Sequence, residues 1–271
     1  MLFLKILFKD WYHLFRSRES RAFLGLALRH GDAARYSPRR VRFERFRFRV
    51  PDALSFLWQC KEIFVEEAYH FQTTSPQPLI FDCGANVGTS CVYFKRRHPG
   101  ARIRAFEADP HIATYLTENL AQNGIQGVEV IAKAVWVHNE GVDIGQEGAD
   151  GASVRGTGAK VRVPSVRLRD WLAAVGGDER IELLKMDIEG AETEVLKDCR
   201  HALARVQHLF LEYHAYLGQP QDLDEILAIL RQNGFRYFIR DAQDRPRPLS
   251  NRVYRPDGTM DLQLNIFAWK E

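Results

Sequence analysis

A chain of 271 residues, 45% hydrophobic and 27% charged, has room for an α/β domain with appendages and a substantial core, which excludes the disordered and fibrous classes. Net charge is only +3, but residues 1–50 carry 13 Lys/Arg against 4 Asp/Glu, a net +9, and leave −6 for the other 221. That asymmetry marks a basic N-terminal arm, facing either something acidic (membrane, polyanion or partner) or simply water.

Cys60, Cys83, Cys91 and Cys199 show neither disulfide density nor, with nine scattered histidines, zinc spacing, as expected of a cytoplasmic protein. No apolar run reaches the ~18 residues of a membrane span. Lys5, Lys9 and Asp10 interrupt what would otherwise resemble a signal peptide.

In residues 1–16, Lys5, Lys9, Asp10, His13 and Arg16 fall on one helical face, with Leu4, Leu7, Phe8, Trp11, Leu14 and Phe15 opposite. Such a helix lies in a membrane interface, packs on its own domain or forms a homo-oligomer contact. From Arg39 to Val50, Val41, Phe43, Phe46 and Phe48 alternate with arginines, and the alternation slips at Glu44-Arg45, as in a bulged hairpin or edge strand. Arginines beside aromatics suit nucleic acid. A two-faced strand with its charges in water is the more ordinary reading, and nucleic acid is not expected as a partner. Asp52 caps a helix whose apolar face carries Leu57, Cys60, Phe64, Ala68 and Phe71. The expected division is a basic extension over 1–50, a helical lid over 51–77 and a catalytic domain over 78–271.

Leu79 to Phe81 end a buried parallel strand, Asp82 stands where it stops, and Gly84 and Gly88 bracket a turn into a helix. Open α/β sheets bind ligands beyond the carboxyl ends of their strands, which is where these residues fall. The spacing Asp-x-Gly-x-x-x-Gly departs from the dinucleotide fingerprint and favours a nucleoside without a pyrophosphate. S-adenosylmethionine fits, its ammonium suiting Asp82 and its carboxylate a helix N-terminus. Glycine serves there because a Cβ would block the cofactor, or because the turn needs positive φ. Ile103 to Phe106 is the second strand, and Glu107 at its end can take both ribose hydroxyls. A helix from His111 to Asn123 and a third strand from Val128 to Val135 follow. The glycines from Gly141 to Gly158 then break short apolar pieces, as in a hairpin insertion or mobile loop near the site.

Ile181 to Met186 is a fourth strand, delivering Asp187-Ile-Glu-Gly-Ala-Glu at its carboxyl end. Val206 to Leu211 is a fifth, ending in Glu212-Tyr213-His214, whose first and third side chains share a face. After a helix closed by Asn233-Gly234, Phe235 to Ile239 and Leu262 to Trp269 are two strands with no helix between them, so they pair antiparallel. The expected fold is α/β: a Rossmann-like, seven-stranded, mostly parallel sheet with a terminal antiparallel hairpin.

Five stretches together resemble the FkbM-type family of class I, S-adenosylmethionine-dependent methyltransferases. They are Lys61-Glu-Ile-Phe-Val-Glu-Glu-Ala-Tyr-His-Phe, Ile80-Phe-Asp-Cys-Gly-Ala-Asn-Val-Gly, Phe106-Glu-Ala-Asp-Pro, Leu184-Lys-Met-Asp-Ile-Glu-Gly-Ala-Glu and Leu211-Glu-Tyr-His. The fourth is the specific signal, since many methyltransferases share the glycine turn. The resemblance implies O-methylation of a hydroxyl on a sugar, glycan or natural-product scaffold. It implies that Asp82, Gly84, Ala85, Asn86 and Gly88 line the methionine end of the cofactor, Glu107 the ribose, and Ala134 and Val135 the adenine. An acidic adenine contact common among relatives has no clear counterpart here.

Asp187, Glu189, Glu212 and His214 are the catalytic candidates. An alcohol is a poor nucleophile at neutral pH, so either a base takes its proton or a cation lowers its pKa. Asp187 and Glu212, with Glu189 nearby, form an oxygen-rich set for Mg²⁺. His214 is the alternative base, a carboxylate fixing its tautomer. Carboxylates outnumber histidines at this edge, which favours the metal route. Competing readings are helix capping by Asp187, Glu189 and Glu192, a structural His214, an NAD(P)-dependent reductase, and a non-catalytic binding module on the same fold.

Overall fold

Every residue of β3 (Leu79–Cys83) is buried, because both faces of the sheet it centres are covered. Its side chains alternate between two cores. Ile80 joins Ile103, Leu183 and Phe210 on one face, while Leu79, Phe81 and Cys83 join Leu184, Met186 and Leu211 on the other. This computed structural model describes residues 17–146, 152–153, 160–242, 245, 247–251 and 260–271. Within it β3, β4 (Arg102–Phe106), β5 (Val128–Ile131), β11 (Ile181–Met186) and β12 (Val206–Tyr216) run parallel. β14 (Met260–Trp269) enters antiparallel between β12 and β13 (Arg236–Asp241), giving the order β13-β14-β12-β11-β3-β4-β5. This is the expected seven-stranded sheet with an antiparallel pair at one edge. The strand order reverses between β3 and β11, so the crevice opens beyond their carboxyl ends.

α3 (Thr89–Arg97) and α4 (Pro110–Gln122) cover the first face, and α5 (Leu168–Ala173), α6 (Glu192–Cys199) and α7 (Leu223–Gln232) the second. The N-terminal elements share the first core. α1 (Arg18–His30) is capped by the Ser17 hydroxyl, which accepts from Ser20 N at 2.9 Å. β1 (Arg39–Phe43) and β2 (Phe46–Val50) form the expected hairpin, turning at Glu44 with φ 50°. Val41, Phe43, Phe46 and Phe48 point inward, against Phe56 and Phe64. Asp52 caps α2 (Ala53–Cys60) through Ser55 N and also binds Arg35 Nε and Tyr36 N. α2 then widens into a π-helical turn, Lys61–Val65, and the helix ends there, short of Ala68 and Phe71, which were expected on its apolar face. The helix expected in residues 1–16 lies outside the described residues.

Two strands differ from expectation. The third core strand ends at Ile131, where Lys133 N bonds back to the Ile131 carbonyl. β6 (Ala134–Trp136) then leaves the sheet and pairs in parallel with β10 (Ser165–Arg167). Between them β7 (Val142–Gln146), β8 (Ala152–Ser153) and β9 (Lys160–Val163) make a small antiparallel sheet in the glycine-rich insertion, parts of which are outside the described residues. β12 runs on past Leu211 because β14 pairs with it as far as Tyr216. No helix of the described residues is long and apolar enough to cross a membrane.

Candidate active site

The carboxyl ends of β3 and β11 meet at Gly84. Its φ is 84°, and a Cβ there would stand 1.8 Å from the Asp187 carbonyl oxygen. Glycine is thus required both by positive φ and by the chain's own backbone. Gly84 N and Ala85 N donate to the Phe106 carbonyl, Asn86 and Gly88 are also left-handed, and α3 starts with no side-chain cap. An uncapped helix start suits an anionic group.

Asp82 is fully buried beneath this turn. Ser90 Oγ donates to its Oδ2 at 2.5 Å, while Oδ1 lacks a hydrogen-bond partner and stands 3.6 Å from Lys185 Nζ. Buried Lys185 donates to the Gly84 carbonyl at 2.5 Å and lies 3.4 Å from Asp187 Oδ2. Burial pulls the pKa of this amine down, but Asp187, Asp82 and Glu212 outweigh it and hold the lysine above its ordinary range. Lys185 thus meets the charge of Asp82 inside the protein, and Oδ1, which faces that amine, is left without a hydrogen-bond partner.

Glu107 ends β4, where Asn86 N donates to Oε2 at 2.8 Å and Asp109 N to Oε1 at 3.0 Å. Burial pushes its pKa up to about 7 despite these two N–H groups. Each oxygen keeps a lone pair for a hydroxyl. Ala134 and Val135 are buried on β6, just after β5, with Ala134 packed against the insertion and Val135 against the second core. These residues fit the three parts of S-adenosylmethionine at an uncapped turn, a paired-acceptor carboxylate and an apolar strand end.

Beyond β11, Glu189 (φ 54°) and Gly190 (φ 93°) turn the chain sharply. Glu192 closes that loop by accepting from Ile188 N at 3.1 Å and Gly190 N at 2.9 Å. Its Oε1 also lies 3.1 Å from His214 Nδ1. The other ring nitrogen stands 3.6 Å from Glu189 Oε2 and 3.9 Å from Glu212 Oε1. Burial lowers the histidine's pKa, yet Glu192, Glu189 and Glu212 together raise it well above the ordinary value. Burial and the Asp187 charge push the Glu212 carboxyl well up, and Gln263 Nε2 donates to its Oε1. Glu62, carried in by the π-helical turn, is raised by burial and Asp187, and accepts from Asn265 Nδ2 at 3.0 Å.

Asp187, Glu212 and His214 each bring one ligand atom within 4.8 Å of the others. The four sequence-predicted catalytic residues therefore converge, with Glu189 joining through His214. Lys185, Glu62 and Glu192 lie in recognisable motif segments, but nothing local announces that their side chains meet. Gln263 and Asn265 carry no sequence signal; they arrive because β14 pairs with β12 in register. Such a cluster can take a proton from a hydroxyl or hold a cation.

The sequence profile of the methyltransferase FkbM domain matches residues 82–237, from the glycine turn to β13. Methyltransferase sdnD of Sordaria araneosa is 32% identical over 195 residues, 59% of this chain and 75% of its own. The 2-O-methyltransferase NoeI of Sinorhizobium fredii is 27% identical over 168 residues, 53% of this chain and 68% of its own. The 31-O-demethyl-FK506 methyltransferase FkbM of Streptomyces tacrolimicus is 26% identical over 211 residues, 65% and 80% of the two chains. With that profile spanning the crevice and more than half of its length, the chain belongs to the FkbM family of methyltransferases.

Proposed function

We propose that this methyltransferase uses S-adenosylmethionine to methylate a hydroxyl oxygen on a sugar, glycan or natural-product scaffold. The observation that carries the reading is the convergence of Asp187, Glu212 and His214 beside the glycine turn, because an alcohol must be relieved of its proton to react. The names of two relatives, a 2-O-methyltransferase and a 31-O-demethyl-FK506 methyltransferase, support oxygen as the acceptor atom. When bound, S-adenosylmethionine supplies a methyl group on a sulfonium, open to in-line attack by an oxygen.

The protein's own residues then have separate tasks. Glu107 takes the ribose hydroxyls, and Asp82 with Lys185 sets the charge under the methionine end. His214 stands between Glu189, Glu192 and Glu212, which favour its protonated form and make it a poorer base than a free imidazole. The hydroxyl proton passes instead to Asp187, a cluster carboxylate with its side chain 26% exposed. A second reading, assistance by a divalent ion such as Mg²⁺, is favoured by the grip of Glu192 on His214 Nδ1, as metal-ligating histidines are held. Asp187, Glu212 and His214 would hold the ion, which would lower the pKa of a bound hydroxyl. The nitrogen donor suits a softer ion than Mg²⁺ and binds only when unprotonated.

The test is methyl transfer from S-adenosylmethionine to a panel of hydroxylated acceptors, with and without chelator. Asp187→Asn is expected to lower the rate on the order of 10²–10⁴, and chelator to leave it unchanged. Arrest by chelator with rescue by a divalent ion would establish the metal reading instead. Transfer to amine but never to hydroxyl acceptors would overturn the O-methyl assignment.

A further inference from the structure

The outer face of the β1–β2 hairpin carries almost nothing but arginine. Cross-strand partners lie on one face, and here Arg40 stands opposite Arg49 and Arg42 opposite Arg47. Like charges set directly across a strand pair destabilise it. Arg49 is neutralised by Glu118 at 2.8 Å and lies over the Tyr115 ring, whereas Arg42 Nε donates to the Glu44 carbonyl at 2.8 Å and Arg45 lies over the Phe46 ring, contacts that leave both charges uncancelled. Among the described residues Arg40, Arg42, Arg45 and Arg47 are exposed, and none of them pairs with a carboxylate. The one acid in the turn, Glu44, points away, held by Arg96 at 2.9 Å and Arg18 at 3.3 Å. A face under such self-repulsion, built on a strongly packed core, is complementary to a dense layer of negative charge.

We propose that this hairpin face docks the protein on an anionic phospholipid surface. The face is a two-stranded ribbon whose rings, Phe43, Phe46 and Phe48, are all buried inward. It thus offers no platform on which a nucleic acid base can stack. Residues 1–16, immediately before α1, add three Phe, four Leu and Trp11 alongside Lys5, Lys9 and Arg16. Stable attachment takes two signals, and a chain that carries an apolar–basic stretch of sequence as well as this polybasic face has both.

The test is co-sedimentation of the full chain with vesicles of phosphatidylcholine and phosphatidylglycerol in equal parts, against phosphatidylcholine alone. Binding is expected only to the anionic vesicles and is weakened by salt. Each basic residue at such a surface is worth about fivefold in partitioning. The triple variant R40E/R45E/R47E should therefore lose on the order of a hundredfold, while R40K/R45K/R47K keeps its binding. Thermal unfolding of each variant reports whether it is folded, and R40Q/R45Q/R47Q replaces the glutamate variant should that one fail to fold. Equal binding to neutral vesicles, or full binding by a folded variant lacking the three charges, overturns the proposal. So does preferential capture of RNA or DNA that anionic vesicles cannot displace.

Discussion

Glu107 accepts two backbone N–H groups and still titrates near neutrality, at about 7 against an ordinary 4.5, because burial outweighs them. A carboxyl whose folded pKa is raised binds its proton more tightly in the folded state. Its stabilising contribution is complete below the unfolded pKa and is lost as pH rises through about 7. Hydroxyls donate best to the ionised form, so the ribose contact proposed for Glu107 requires that proton to leave. Affinity for S-adenosylmethionine is expected to weaken about tenfold between roughly pH 8 and roughly pH 6. Glu107→Gln should flatten that dependence and cost roughly 1.5–3 kcal/mol of binding at the upper end. Calorimetric titration across the window checks both; a glutamine variant with the same slope would place the titrating group elsewhere.

At the scale of elements, the free edge of β2 is sealed by a helix rather than a strand. Asn119 on α4 and Asn123 at its C-cap, one turn apart, each accept from and donate to the β2 backbone, at Arg49 and Arg47 respectively. They imitate the ladder that an edge strand lacks and deny that edge to a passing chain. Asn119 also donates to the Val87 carbonyl, tying the hairpin to the glycine turn. Asn119→Ala strands these groups, and at about 1–3 kcal/mol for an unsatisfied buried group the expected loss is roughly 2–4 kcal/mol. Urea denaturation measures it, and faster amide exchange at Arg49 localises it. A loss below about 0.5 kcal/mol would mean that water replaces the asparagine without penalty.

At the scale of the molecule, the described residues are organised around a seven-stranded sheet with a core on each face, and the site sits where strands from both halves stop together. A cofactor bridging the ends of β3, β4 and β11 joins elements distant in the chain, so it should stabilise the fold globally. S-adenosylmethionine at ~100 times its dissociation constant is expected to add about 2.7 kcal/mol, and NAD nothing. Thermal unfolding with each ligand tests this. A shift with NAD and none with S-adenosylmethionine would remove the cofactor assignment and revive the reductase reading.

The sequence by itself determined the seven strands, their parallel and antiparallel directions, the turn at Gly84 and the strand-end acids Glu107 and Asp187. Apolar runs, glycine stops and helix-length spacings are local quantities, and each of these features rests on them. Only the tertiary structure decided that Lys185 faces Asp82, that Glu192 grips His214, and that Glu62, Gln263 and Asn265 enter the site. It also decided that β6 abandons the sheet and that β12 outlasts its parallel neighbour. Those outcomes depend on strand order and register between segments far apart in the chain, which no local period encodes. The raised pKa of His214 follows from them in turn, because a buried titratable group responds to the few ångströms around it and not to its neighbours in sequence.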